Sequence, residues 1–365
     1  MEKIRAKILS ALCASVGFAG SLAVAEGQPV AATNNLPAVT PGLGFREFAP
    51  VASAVAVRGS WSPDLISLNR DAKGIWMAPA PALSPGAYYY SVLVDGATNA
   101  SARILHIPTS GDAQYFAAIP HGTVHPERYF CAALGTNREC WIYTPPGYEE
   151  SKKNYPFLVL QHAGADTQKT WVAKGNVDWL LDELIAAGRA QPMVVLMLDG
   201  DPHGESAFFK PETRVAAMNN LKRELFEDAI PLVEKNYRIE KSRELRALAG
   251  PSVGGGQVIT IGLSNLDRFA WIGAFSAGHG LPELYEPVLN DSDMVNERLK
   301  MFWISCAQDD KGFSSNEQFV AMLDRKGIHH EWHPTPGAHS WVVWRLALGE
   351  YLSRIFQTSS TAGHN

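Results

Sequence analysis

Beyond its first 25 residues, the sequence lacks any uninterrupted apolar stretch of the length that a membrane span needs. It has no internal repeat, and it lacks an excess of positive charge: 32 Lys and Arg face 37 Asp and Glu, for a formal net charge of -5. Nothing in this balance indicates nucleic acid or an anionic membrane surface as a partner. With 46% hydrophobic and 19% charged residues, the composition is that of an ordinary globular protein.

The first 25 residues have the pattern of an export signal. Lys3, Arg5 and Lys7 form a basic start, residues 8–24 are mostly apolar, and residues 23–25 read Ala-Val-Ala, a small-residue cleavage site. The alternative is a membrane anchor, which the interspersed Gly and Ser residues and the cleavage site disfavour. We therefore expect a protein that is exported, periplasmic or secreted, and soluble once this segment is removed.

The sequence pattern of the remaining chain changes near residue 120, from short alternating runs to alternating strand-like and helix-like segments, which predicts two domains. A linker rich in Pro, Ala and Asn covers residues 26–40, and short alternating runs separated by Gly and Pro turns predict a small β-sandwich over residues 41–119. Its aromatic residues are either core packing or a sugar-binding platform. They are Trp61, Trp76, Tyr88, Tyr89 and Tyr90.

From residue 120 to residue 357, strand-like and helix-like segments alternate. This pattern is typical of an α/β fold with a mostly parallel, doubly wound sheet that helices cover on both faces. Residues 358–365 have the composition of a disordered tail.

One segment of this region, Gly250-Pro251-Ser252-Val253-Gly254, fits the pattern G-x-S-x-G. An apolar strand precedes it and a Gly-rich helix start follows, so Ser252 is predicted at the apex of a sharp strand-to-helix turn. Such a turn exposes the hydroxyl, and the backbone N–H of Val253 points toward any oxygen bonded to it. The alternative is a serine in an ordinary glycine turn.

A nucleophilic serine needs a base, and the base needs an orienting acid. Downstream of Ser252, Asp309 and Asp310 follow a buried strand, and His339 lies in a rigid loop ahead of the last helix. The second oxyanion donor is expected near Gly164, in a loop of small residues after an early strand, although such a loop is also merely a turn.

Other polar residues leave alternatives open. His329, His330 and His333 alternate with apolar residues, which indicates a partly exposed edge strand. A metal site is the less favoured alternative, because no Cys or acidic ligand recurs at suitable spacing.

A two-residue turn at residues 135–136 would set Cys131 opposite Cys140, as a disulfide or as two free thiols. Cys306 is predicted in the core.

Several motifs, in order, resemble the esterase-D-like branch of the α/β-hydrolases. That branch includes feruloyl and acetyl xylan esterases of the carbohydrate esterase family 1 type and enterochelin-esterase-like proteins. The resemblance covers residues 120–357, and the preceding β region is similar to the immunoglobulin-like early-set modules fused upstream in this branch. The motifs are His121-Gly-Thr-Val, Tyr143-Thr-Pro-Pro-Gly-Tyr148, residues 249–257, residues 274–277 and residues 336–345.

The resemblance implies Ser252 as nucleophile, His339 as base and the amides of Gly164 and Val253 as the oxyanion hole. It also selects Asp310 over Asp309, because the family has Gly-x-x-Asp after this strand and Ala307 stands in the Gly place. The implied enzyme needs no cofactor and no metal. Candidate pocket residues, with core packing as the alternative for the tryptophans, are His162, Trp171, Trp271, His279 and Trp341.

By this resemblance the expected activity is that of an exported serine carboxylesterase acting through an acyl-enzyme on feruloyl esters of plant polysaccharide. The alternatives are an acetyl xylan esterase, a siderophore trilactone esterase and a carbohydrate-binding protein with an inactive hydrolase domain. The last of these should have lost a member of the catalytic set, and all three residues are present.

Overall fold

The computed structural model describes residues 44–72, 74–83, 86–107, 119–201, 208 and 210–357. The predicted signal, linker and C-terminal tail (residues 1–25, 26–40 and 358–365) lie outside these ranges. No helix in the described part of the chain combines the length and the apolar character that crossing a membrane requires.

The first seven strands form two small antiparallel sheets, in the orders β1-β5-β4 and β3-β2-β6-β7. Buried residues from both sheets, among them Phe45, Val57 and Trp76, pack into one apolar cluster. This is a β-sandwich, as the alternating runs predict. The strands are β1 (Gly44–Phe48), β2 (Val55–Gly59), β3 (Ser62–Ser67), β4 (Asn69–Arg70), β5 (Ile75–Pro79), β6 (Gly86–Val94) and β7 (Ala97–Ile107).

The later strands form one sheet of eight, in the order β15-β14-β13-β12-β10-β11-β9-β8. The strands β10 to β15 run parallel, and the β8–β9 hairpin adds an antiparallel edge. The strands are β8 (Thr123–Cys131), β9 (Thr136–Thr144), β10 (Phe157–Leu160), β11 (Val194–Met197), β12 (Arg246–Pro251), β13 (Trp271–Phe275), β14 (Met301–Ala307) and β15 (Glu331–Thr335).

Helices cover both faces of this sheet, and a separate apolar cluster fills each face. The chain therefore has the α/β-hydrolase type of fold behind a small β-sandwich. The helices are α1 (Thr170–Ala173), α2 (Val177–Ala186), α3 (Arg214–Arg223), α4 (Ile230–Asn236), α5 (Ser252–Leu263), α6 (Ser292–Arg298), α7 (Phe313–Lys326) and α8 (Trp341–Leu352).

The helical segment from Arg214 to Asn236 is interrupted. A π-helical segment, Glu224–Ala229, joins α3 to α4, and the N–H of Ile230 reaches back to the carbonyl of Leu225. Pro231 follows at the start of α4 and has no N–H to donate. A local shift to π geometry accommodates that missing bond without ending the helix.

The predicted Cys131–Cys140 disulfide is wrong. The hairpin loop has four residues rather than two, so Cys131 faces Thr136 and Cys140 faces Glu127 across the β8–β9 pair. Both cysteines, like Cys306, are free and buried. The Cys131 thiol donates instead to the Asp228 carboxylate over 3.1 Å.

Candidate active site

Ser252 lies directly after the buried strand β12 and begins helix α5. Its φ of +51° falls in the left-handed region, which a residue with a side chain adopts at a cost of about 1–3 kcal/mol. A Cβ at Gly250 would lie 2.9 Å from the carbonyl carbon of Gly254, so the backbone crosses itself too closely for a larger residue. These are the features of the sharp turn that the pattern predicts.

His339 and Asp310 complete a hydrogen-bonded chain with this serine. The Nε2 atom of His339 lies 2.9 Å from Ser252 Oγ, and its Nδ1 lies 2.6 Å from Asp310 Oδ2. The Asp310 side chain is 2% exposed, and its other oxygen accepts the N–H of Gly312 over 2.8 Å. The carboxylate therefore holds the imidazole with its proton on Nδ1 and its Nε2 lone pair toward the serine.

The two neighbouring aspartates have different surroundings. The side chain of Asp309 points to solvent, and its backbone N–H donates to the carbonyl of Gly337, which ties the loop before His339 to the end of β14. Asp310 alone presents its carboxylate to the histidine. Of the two aspartates, the one that contacts His339 is therefore Asp310, the residue that the family pattern selects.

Gly164 and Val253 each line a cavity that Ser252 also lines. Gly164 follows β10, while Val253 lies in the first turn of α5, where N–H groups have no partner within the helix. The hydrogen bonds of the described residues leave both N–H groups without an acceptor. β10 and β12 are adjacent at the point where the strand order reverses, which is where ligands bind in such sheets.

His162 supports the Gly164 loop, and neither cavity at Ser252 has it in its wall, so its assignment to the pocket is wrong. Its side chain is 4% exposed, and Nε2 accepts the N–H of Gly200 over 2.8 Å. The ring proton is therefore on Nδ1, which donates to the carbonyl of Ala163 over 2.7 Å. This bond fixes the orientation of the Ala163 carbonyl, next to Gly164.

A buried ionic network continues from His162. Asp199 lies 3.3 Å from His162 Nε2 and 3.3 Å from Arg138, which also pairs with the fully buried Glu224 at 2.9 Å. Burial raises the pKa of Asp199, but the charge of Arg138 and the N–H of Asp201, which donates to Asp199 Oδ1, outweigh it and leave the pKa below its usual value. The Asp199 carboxylate is therefore charged at neutral pH.

Two cavities meet at Ser252. The first has a volume of about 360 Å³, and its wall includes Phe208, Met218, Val253, His279 and Leu281. The second has a volume of about 510 Å³, and its wall includes Tyr89, Gly164, His339, Trp341 and Trp344. We call them the Met218 cavity and the Tyr89 cavity.

Of the remaining predicted pocket residues, His279 and Trp341 line these cavities and two tryptophans do not. Trp171 is fully buried and donates its indole N–H to the carbonyl of Gln161. Trp271 begins β13, at the opposite end of the parallel strands from Ser252, and packs against Phe356. Both are packing residues, the alternative that the sequence left open.

Sequence reasoning missed Trp344 in one cavity and Phe208, Arg214 and Met218 in the other. It named Tyr89 only within a possible sugar-binding platform and did not place it beside the serine. The only signal available for Trp344 was its spacing of three from Trp341, which places both on one face of a helix. Cys306 is buried in β14 as predicted, and burial raises the pKa of its thiol to about 11.

The histidines weighed as a metal site lie along the sheet edge. His333 is on the edge strand β15 and stacks on Trp303 with ring centroids 3.5 Å apart. His330 bonds through Nδ1 to the carbonyl of Ile328. Within the described ranges, no group of His, Cys, Asp and Glu side chains is arranged to hold a metal ion.

A strained serine on a strand-to-helix turn, reached by a histidine that a buried carboxylate orients, defines a serine hydrolase of the α/β-hydrolase fold. Comparison with known sequences gives the narrower class. The Esterase family model matches residues 131–355, and the chain therefore belongs to this family of carboxylic ester hydrolases.

Among curated relatives, an endo-1,4-β-xylanase/feruloyl esterase of Xylanibacter ruminicola is 26% identical over 339 residues, which cover 86% of this chain and 44% of that protein. An esterase of Mycobacterium tuberculosis is 22% identical over 275 residues, covering 62% of this chain and 58% of that protein. The chain thus spans less than two thirds of the length of these relatives.

Solved structures share the fold. A ferulic acid esterase of Anaeromyces mucronatus superposes with a TM-score of 0.57 at 22% identity, covering 66% of this chain and 92% of its own. An enterobactin esterase of Shigella flexneri superposes with a TM-score of 0.50 at 15% identity, covering 85% of this chain and 92% of its own.

Proposed function

We propose that this protein is an exported serine esterase that hydrolyses feruloyl esters of plant polysaccharide through an acyl-enzyme. The observation that carries the chemistry is the chain of hydrogen bonds from Ser252 through His339 to Asp310, 2.9 and 2.6 Å long. This arrangement activates a hydroxyl for attack on a carbonyl carbon.

In the proposed reaction, His339 accepts the Ser252 proton as Oγ attacks the ester carbonyl, and Asp310 stabilises the imidazolium. The N–H groups of Gly164 and Val253 stabilise the oxyanion, each lowering the barrier by about 3 kcal/mol. The imidazolium then protonates the leaving alcohol, and Ser252 retains the acyl group. Water attacks this acyl-enzyme by the same route, which releases the acid and restores the serine.

Two observations support a bulky aromatic acyl group on a sugar. The Xylanibacter ruminicola relative is named for both xylanase and feruloyl esterase activity. In addition, the Met218 cavity, at about 360 Å³, is much larger than an acetyl group requires. Its wall includes the apolar side chains of Phe208 and Met218, against which a phenolic ring can pack.

A siderophore trilactone esterase is the second candidate, because the enterobactin esterase fold match extends over 85% of the chain and Arg214 lines the Met218 cavity. A catecholate ligand needs such cationic partners. Arg214, however, pairs with Glu283 at 3.2 Å, which offsets its charge.

The test is a panel of methyl ferulate, acetylated xylan and a linear siderophore ester, assayed with wild type, Ser252→Ala and Ser264→Ala. Ser264 serves as the matched control, because it lies at the other end of α5 and, among the described residues, its hydroxyl bonds only to helix carbonyls and Asn265. We expect methyl ferulate turnover that Ser252→Ala abolishes and Ser264→Ala leaves intact. Equal turnover by Ser252→Ala and wild type would contradict the serine mechanism. Turnover of the siderophore ester alone would contradict the feruloyl substrate and favour the siderophore esterase.

Export rests on the basic start, apolar run and Ala-Val-Ala site within residues 1–25. We expect the N-terminus of the protein recovered from outside the cytoplasm to be residue 26. Recovery only in the cytoplasm with Met1 retained would contradict the proposal.

A further inference from the structure

Three consecutive tyrosines on strand β6 point in alternating directions, because successive side chains of a strand lie on opposite faces. Tyr88 and Tyr90 pack against the core of the β-sandwich. Tyr89 packs against the apolar cluster of the eight-stranded sheet, which contains Trp171 and Trp341. The β-sandwich therefore directs one aromatic side chain toward the hydrolase part of the chain.

The backbone holds Tyr89 in place. Its carbonyl accepts the N–H of Ser60 over 2.7 Å, and its N–H donates to Ser60 Oγ over 3.1 Å. Its side chain forms part of the same cavity wall as Ser252 and His339. A residue of the N-terminal β-sandwich thus contributes directly to the space beside the reactive serine.

The chemistry of the proposed reaction assigns a role to each cavity. The leaving alcohol takes its proton from the histidine, so the alcohol must lie on the side of His339. His339 lines the Tyr89 cavity and is not part of the Met218 cavity wall. The alcohol therefore occupies the Tyr89 cavity, and the acyl group occupies the Met218 cavity.

We infer that Tyr89 forms an alcohol-side subsite for the sugar ring that carries the ester, in a cavity whose wall also includes the largely buried Trp341. This inference rests on the proposed esterase function. The face of an aromatic ring packs against the C–H face of a sugar ring, and Ser340 in the same wall supplies a hydroxyl for the sugar's polar groups. Asp166, also in this wall, pairs with Lys174 at 2.6 Å. The β-sandwich then acts as a specificity element of the esterase.

The test compares two esters with the same acyl group, methyl ferulate and a feruloylated arabinoxylo-oligosaccharide. For Tyr89→Ala we expect kcat/KM for the oligosaccharide ester to fall about fivefold relative to methyl ferulate, mainly through KM. Tyr89→Phe keeps the ring and should retain the wild-type ratio. Leu65→Ala, at a 49% exposed site on β3, is the matched control within the same β-sandwich.

If Tyr89→Ala leaves the ratio of kcat/KM for the two esters unchanged, the subsite is overturned, even if both values fall together. Failure of wild type to hydrolyse methyl ferulate would instead overturn the proposed function. If Tyr89→Ala does not fold, Tyr89→Leu preserves apolar packing and should show the same loss. As an independent readout, Ser252→Ala should bind the unesterified oligosaccharide about fivefold more tightly than Ser252→Ala with Tyr89→Ala, and equal binding would argue against a sugar subsite.

Discussion

Gly254 lies against the carbonyl of His162 so closely that a Cβ at residue 254 would be 2.3 Å from that oxygen. This approach locks the start of α5 onto the loop that carries Gly164. The two candidate oxyanion donors, one on each segment, are therefore held at a fixed separation.

Replacing Gly254 by Ala should consequently reduce kcat and stability together, because either α5 or the 162–164 loop must move. We expect a loss of about 2 kcal/mol in the free energy of unfolding, typical of overpacking. Urea denaturation and ester hydrolysis would measure the two effects. Gly349→Ala in α8 is the control, because its Cβ would lie 3.5 Å from Leu180, an ordinary contact, and should be tolerated.

Asp310 and Asp309 offer a matched pair for the acidic role. Asp310→Asn should lower kcat by about 10⁴-fold, since an amide no longer holds the reactive tautomer of His339. Asp309→Asn should leave kcat nearly unchanged, because the contact of Asp309 with Gly337 is made by its backbone N–H. The reverse pattern would mean that the aspartates exchange roles in solution.

His162 should act on the transition state without touching substrate. In His162→Ala, the Ala163 carbonyl and the Gly200 N–H lose their partners, and the Gly164 loop can turn. We expect kcat to fall about 10²-fold with KM nearly constant, because the oxyanion forms only in the transition state. His125→Ala on β8, where Nε2 contacts Thr144, is the control. A change confined to KM would place His162 in the substrate pocket after all.

Asp178 at the start of α2 predicts a pH-dependent stability. Burial raises the pKa of Asp178 to about 6 from its ordinary 3.8. Because the folded state then holds this proton more tightly than the unfolded state, the stabilising contribution of Asp178 is complete below pH 3.8 and is lost as the pH rises through about 6.

Asp178→Asn should remove this component, so the variant should gain stability relative to wild type above pH 6 and lose the advantage near pH 4. Chemical denaturation across this range would measure the difference. Parallel pH curves for the two proteins would show that Asp178 does not carry the effect.

The hairpin shows where local patterns stop being informative. In the structure, the numbers of two residues that face each other across the hairpin add up to 267, as with Cys131 and Thr136. The two-residue loop predicted from the sequence would make them add up to 271, which pairs Cys131 with Cys140. The two registers differ by two residues on each strand, which leaves every side chain on the same face. Alternation cannot separate them, so the cysteine pairing could not be read from the pattern.

The sequence alone determined the features that depend on neighbouring residues and on chain order. These include the strained turn at Ser252, the parallel strands and the positions of Asp310 and His339 after their strands, because each follows from short-range sterics and from which strand ends share an edge. Tertiary structure decided which distant side chains face the serine. Tyr89 and Met218 reach it from other parts of the chain, and Trp171 does not, because packing between elements, which no local pattern encodes, sets these directions.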